Sequence, residues 1–256
     1  MSNEVMKKDT GSVALFGDDL QKGFENMTQE DMALPFVRIL GQLSPQVTDG
    51  DAKYIDGAKP GMIYNTVTSE CFDGKKGIKV IPCYYKKDFP EWSDRGDGPG
   101  APVAVHLPNS PVIQTGKRDG SKIRLPNGNY LEETASYYVL VETKAGGMTP
   151  ALISMKSTQL NVSKKWNSMM KTIQIPDGKG GMAIPPMHGV VYNLQSVLQK
   201  NDKGSWYGWS VTQDRIMGQE DKSLYLTAKD FNSTAAKGNV QTKADVEEKA
   251  KDSTPY

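Results

Sequence analysis

Three stretches of the sequence set cations beside aromatic rings. The first is GIKVIPCYYKKDFPEW (77–92), with Lys79, Tyr84, Tyr85, Lys86, Lys87, Phe89 and Trp92, and Arg95 just beyond. The second is Lys164-Lys165-Trp166, and the third holds Lys200, Lys203, Trp206, Tyr207 and Trp209. Ammonium and guanidinium groups neutralise phosphates. Aromatic faces accept unstacked bases, at about 1–3 kcal/mol per base and with no base preference. The pairing of the two groups is the chemistry a single strand of nucleic acid would use.

Strand alternation sorts these side chains. In the first stretch Ile78, Val80 and Tyr84 share one face, while Lys79, Ile81, Cys83 and Tyr85 share the other. Tyr84 is then a core residue and Tyr85 the stacking candidate. In the third stretch Trp206 and Trp209 point to opposite faces, so only one can be inside, and Gly208 leaves open space beside the other. Trp166 falls on an apolar helical stripe, as a core anchor would. The candidate interface is therefore Lys79, Lys86, Lys87, Lys164 and Lys165 on phosphates. Tyr85, Trp92 and one of Trp206 and Trp209 would stack on bases.

Catalytic patterns are missing. His106 and His188 sit in no HExxH motif and near no GxSxG serine. A zinc site from Cys71, Cys83, His106 and His188 would have spacings unlike ribbons and fingers. No GxxxxGK[ST] phosphate loop occurs, and the Gly-Lys turns at 74–77 and 177–181 join no clear strand to a helix. Glu132-Glu133 and Asp18-Asp19 lie in polar contexts. The expectation is a binding protein, neither an enzyme nor a cofactor carrier.

The elements that would position these groups are mostly strands. Twenty-five glycines and 15 prolines in 256 residues favour short strands and turns. Strands are expected at 62–67, 77–85, 103–107, 121–125, 136–143 and 150–155, with a Gly/Pro/Asp loop at 93–102. The segment 33–47 has helix-like apolar spacing at Leu34, Val37, Leu40 and Leu43, limited by Pro35 and Pro45. The best helix is 156–173, with Val162, Trp166, Met169, Met170 and Ile173 on one stripe. A hairpin follows: 189–199, a turn at 200–204, and 205–211. A short helix covers 220–231. This order predicts a mainly β, α+β chain: an OB-like five-stranded antiparallel barrel with a helix between strands 3 and 4 and a C-terminal helix. A general antiparallel sheet with helices on one side is the alternative. Residues 1–30 read as a flexible arm, 31–235 as one OB-like domain with long loops, and 236–256 as a disordered tail.

Net charge is only +1, but it is unevenly spread. Residues 61–180 carry 16 basic and 11 acidic side chains, whereas residues 1–60 carry 6 and 10. A basic middle is what an anionic partner would meet. Two cysteines make no disulfide framework. No apolar run reaches the ~18 residues of a membrane span, and the N-terminus lacks the apolar core of a signal peptide.

At ALPFVRILGQLSPQV, KYIDGAKPGMIYNTVT and GIKVIPCYYKKDFPEW, extending through STQLNVSKKWN, the sequence resembles proteins encoded by tailed bacteriophages. The hairpin and last helix are similar in kind to the single-stranded DNA-binding proteins of short-tailed, T7-like phages, which are OB-folds. That resemblance implies a protein that coats single-stranded DNA in replication or recombination, in the cytoplasm of the infected host. It also implies phage replication proteins as partners through the C-terminal tail, a possible homo-oligomer, and no membrane. Those relatives end in an acidic tail with a final aromatic. Here Tyr256 is present, but residues 237–256 carry four basic and four acidic side chains. The competing expectation is a phage structural or host-interaction protein.

Overall fold

A computed structural model describes residues 15, 17–19, 22–27, 32–93, 102–202 and 204–238. The expectations for most of the arm, for the end of the tail, for Arg95 and for Lys203 lie outside the described residues. The strands are β1 (Val37–Ile39), β2 (Ile63–Asn65), β3 (Cys71–Phe72), β4 (Ile78–Trp92), β5 (Ala104–His106), β6 (Lys117–Asp119), β7 (Lys122–Arg124), β8 (Tyr130–Glu132), β9 (Thr134–Glu142), β10 (Met148–Lys156), β11 (Ile175–Pro176), β12 (Met182–Ala183), β13 (Val190–Asn201) and β14 (Gly204–Ile216). The helices are α1 (Val112–Thr115), α2 (Leu160–Thr172) and α3 (Lys222–Ala236).

β4 organises the molecule. Its first half pairs with β9 on one side and β13 on the other, and β10 and β14 extend the sheet outward. The resulting order, β10-β9-β4-β13-β14, is antiparallel throughout, and α2 connects β10 to the β13 side. The chain is mainly β, with the sheet curled into a half-barrel. The second half of β4 enters a smaller sheet with β5, β8, β7 and β6. β5, β6, β7 and β8 all belong to the connection between β4 and β9.

Two cores form on the two faces of the curled sheet. Ile78, Val80, Tyr137, Val139, Ile153, Tyr192, Leu194 and Trp209 line one face, against Trp166 and Met170 of α2 and Val37 and Ile63 of the β1–β3 sheet. Ile81, Cys83, Leu140, Leu152 and Val191 line the other, against Ala228 and Phe231 of α3. The segment 33–47 is not helical. Phe36 makes a parallel bridge to Leu152, and Leu152 N–H donates to Pro35 O at 2.8 Å. The segment thus satisfies the outer edge of β10. Trp209 N–H on the outer edge of β14 donates to Gln159 Oε1 at 2.8 Å. Both sheet edges are covered here, as natural sheets require.

A bulge corrects the alternation expected in the first stretch. Pro82 faces Val139, but Tyr84 faces Tyr138, so Cys83 is an extra residue. One extra residue swaps the faces of everything after it. Tyr85, not Tyr84, therefore packs on the α2 side, its ring 5.1 Å from that of Tyr137. Tyr84 instead joins Tyr138 at 5.7 Å. The carbonyl of Cys83 is met by Asn232 Nδ2 of α3 at 2.5 Å. Burial pushes the Cys83 thiol up to about 12.

The entry to α3 is fixed by Asp221, which takes both terminal nitrogens of Arg215 and the Gly218 N–H. The Arg215 guanidinium, and then that N–H, hold the Asp221 carboxyl down at about 2. A depressed carboxyl contributes stability in full above its ordinary value of 3.8 and loses it as pH falls toward 2. Arg215 is about half exposed, so we expect Asp221→Asn to remove about 1 kcal/mol at pH 7. Urea unfolding followed between pH 7 and 2 checks this. The difference between the two proteins should vanish at the acid end.

Candidate functional site

The sheet that connects β4 to β9 has two unlike faces. Ile123, Leu125, Leu131 and Phe89 form a small core on one face, under Val112 and Ile113 of α1. On this face Glu91 is buried, and its carboxylate ties the connection together. It accepts from Asn129 Nδ2 at 2.6 Å and Asn127 Nδ2 at 3.1 Å, and it meets His106 Nε2 at 2.7 Å. These contacts, Asn129 foremost, hold the Glu91 carboxyl below its ordinary range despite burial.

The opposite face carries the charges. Lys117 lies opposite Arg124, Arg124 opposite Tyr130, and Tyr130 opposite Trp92, so four side chains form one row across four strands. Lys122 Nζ lies 3.6 Å from the Tyr130 ring centroid, and the Arg124 guanidinium carbon 5.9 Å from it. Lys156, at the end of β10, lies 5.9 Å from the Trp92 ring centroid and pairs with Glu132 at 2.7 Å. Asp119 pairs with Arg124 at 3.2 Å. Four cations thus face two carboxylates on this surface. Beyond Trp92 the same face continues into Pro90 and Val105, which lie opposite each other. One end of the row is cationic and the other is aromatic and apolar.

The end of β10 leads from this row to a second tryptophan. After Lys156, Ser157 and Thr158 line a hollow of about 370 Å³ together with Asn201, Gly204, Ser205 and Trp206. Extended chain spans at most about 3.6 Å per residue, so Lys156 and Thr158 lie within about 7 Å along the backbone. Trp92 and Trp206 are both half-buried, and neither indole N–H has a hydrogen-bond partner among the described residues.

The residues expected from sequence divide sharply. Trp92 and Trp206 are half-exposed and joined by residues 156–158. Lys164 and Lys165 are exposed on α2. Trp209 is 4% exposed inside the main core, so Trp206 is the outer ring of the pair. Gly208 is buried rather than open: a Cβ there would meet Gln159 at 2.3 Å. Tyr85 packs on Tyr137, and Trp166 is fully buried. Lys79 pairs with Asp214, Lys86 with Asp88 at 2.8 Å and Lys87 with Glu133 at 2.8 Å. Burial opposes the charge of Lys86, but Asp88 outweighs it and raises its pKa; Glu133 raises that of Lys87. Alternation also sends Lys86 and Lys87 to opposite faces. Sequence reasoning missed Lys117, Lys122, Arg124, Tyr130 and Lys156. The signal available was three short cation-bearing strand segments in the basic middle of the chain.

Cys71, Cys83, His106 and His188 are not brought together. Among the described residues no three His, Cys, Asp or Glu side chains are placed to hold a metal ion. Among them, too, no helix is long and apolar enough to cross a membrane. No curated protein and no solved structure matches the chain. The model of one protein family, described as Pam3 phage gp34-like protein, matches residues 7–241.

Proposed function

The chain belongs to the Pam3 phage gp34-like family, and from that premise we propose that this phage protein binds single-stranded DNA, without catalysis and without sequence preference. The observation that carries the reading is the row Lys117–Arg124–Tyr130–Trp92, continued through Lys156. A single strand offers phosphates along one side and bases along the other. The row offers cations at one end and rings at the other. The strand order of the half-barrel supports an open OB-type barrel, with β4, β9, β10, β13 and β14 as strands one to five and α2 between the third and fourth. In that fold the loops between strands one and two and between strands four and five flank the oligonucleotide. Here these are the sheet bearing the row and the β13–β14 turn beside Trp206. Lys117, Lys122, Arg124 and Lys156 neutralise phosphates; Trp92, Tyr130 and Trp206 stack. The setting is replication or recombination in the infected host.

Titration with oligo-dT tests the reading. Tryptophan emission should quench, because Trp92 and Trp206 are only half-buried whereas Trp166 and Trp209 are buried. Affinity should fall with salt at a log–log slope of about −3, from four cations at about −0.7 each. No quench together with no salt-dependent binding overturns the proposal.

One observation favours a second reading, a phage structural or host-interaction protein. Val103, Val105 and Leu107 are 60%, 53% and 54% exposed in and around edge strand β5. An apolar edge strand suits addition of a strand from another protein. Light scattering after size exclusion separates the two: nucleic-acid-free assembly through this edge, with no oligo-dT binding, favours the second.

A further inference from the structure

Trp206 does not stand over one hollow but between two. On one side lies the polar hollow of Ser157, Thr158, Asn201 and Ser205. On the other lies a hollow of about 340 Å³ lined by Ile39, Leu40, Gly41, Gln42, Leu43 and Tyr207. Ser205 and Trp206 belong to both linings, so these two residues stand between the hollows. The second hollow is built by parts of the chain far apart in sequence. Tyr207 rests on Gly61, where a Cβ would come within 2.6 Å of its ring and the backbone has φ +89°. Only glycine allows that approach. The contact fixes the β2 side of the hollow against β14.

From this we infer that Trp206 is a wedge between two successive bases of a bound single strand, one base seated in each hollow. The inference rests on the single-strand reading and deepens it. The occupant follows from the lining. A base presents a flat face to the indole and a polar rim to its surroundings. The hydroxyls of Ser157, Thr158 and Ser205 can meet that rim on one side. The other side offers Ile39 and the 94%-exposed Leu43, which can cover a base face, beside Gln42. The wedge therefore has a polar seat of hydroxyls and a second seat with aliphatic side chains beside Gln42. The polar seat lies next to Lys156, which orients the strand from Trp206 toward Trp92 and Tyr130.

Oligo-dT titration of three variants tests it. Trp206→Ala removes the wall. Gly41→Phe fills the second hollow, and Gly41 tolerates a side chain, since its Cβ would meet nothing closer than Ser44 Oγ at 3.8 Å. Thr158→Phe fills the polar hollow from an exposed position. Each lost seat should weaken binding about five-fold or more, and Trp206→Ala about 25-fold or more, the lower bound of two stacked bases. Circular dichroism and the thermal midpoint identify a misfolded variant. Should Trp206→Ala fail to fold, the two filling variants decide. If only one filled hollow weakens binding, the wedge is overturned and Trp206 is a one-sided platform. If the wild type binds oligo-dT and all three variants bind equally well, the wedge falls while the single-strand reading stands. If the wild type itself does not bind, the single-strand reading has failed first, and the wedge with it.

Discussion

Trp166→Ala should lower the stability of the protein by about 3–5 kcal/mol, the range for deleting a large buried ring. Trp166 is fully buried and central to the larger core. Its ring stacks on Tyr137 at 4.3 Å between centroids and meets Tyr192 edge-on at 5.6 Å. Tyr137 is anchored in turn. Its hydroxyl lies 2.8 Å from Ser163 Oγ and donates to Asn167 Oδ1 at 2.9 Å. Ser163, Trp166 and Asn167 are spaced i, i+3 and i+4, so one face of α2 clasps one tyrosine of β9. Burial raises the Tyr137 and Tyr192 hydroxyls, the latter to about 12, so both stay neutral at any working pH. Removing the indole opens a cavity between two rings and a helix that cannot close on it. For a domain of this size the loss corresponds to a fall of roughly 6–20 °C in thermal midpoint. Trp166→Phe keeps part of the stack and should lose less. An unchanged midpoint for Trp166→Ala would mean that α2 does not close the half-barrel as described.

The helix and its core anchor Trp166 were legible in the sequence because they obey a single period; the hold of Ser163 and Asn167 on Tyr137 was not. Val162, Trp166, Met169, Met170 and Ile173 repeat at helical spacing, and all five reach the main core. The hairpin was legible for the same reason, up to Leu194. Beyond it β13 overhangs β4, which leaves Leu198 61% exposed despite its correct alternation. What escaped depends on contacts between distant residues. The bulge at Cys83 is stabilised by Asn232, 149 residues away, and no local pattern announces it. It moves Tyr85 from the expected outer face to the core. The 33–47 segment has helix-like spacing but bridges to Leu152 as extended chain, because the β10 edge needs a partner. The cationic row escaped for a further reason. Lys117, Arg124, Tyr130 and Trp92 come from four strands, three of them only three residues long, so neither clustering nor alternation joins them before the sheet forms. Lysines that did cluster in sequence, Lys86 and Lys87, went to opposite faces and found carboxylates. Adjacency in the chain was therefore a poor guide to adjacency on the surface.

That contrast sets the largest functional effect. Replacing Lys117, Lys122 and Arg124 together by glutamine should weaken oligo-dT binding by about two orders of magnitude at 0.1 M salt. Each phosphate contact contributes about −0.7 to the salt slope. Over the decade between 0.1 M and 1 M salt that is about five-fold per cation, or roughly a hundred-fold for three. The slope itself should become shallower by about 2, a signature that a merely structural loss would not produce. Glutamine keeps much of each side chain's apolar stem against the sheet, and Ile123 and Leu131 hold β7 and β8 from the other face. Stability should therefore change little. Lys79→Gln, Lys86→Gln and Lys87→Gln form the matched control. It removes three cations as well, but all three are paired, with Asp214, Asp88 and Glu133, whereas in the row triple Arg124 pairs with Asp119. A strand would have to displace a carboxylate at every one of the three control positions, so this triple variant should weaken binding less than the row triple. If the control loses as much affinity as the row variant, the protein responds to net charge alone. The row would then have no claim to be the interface.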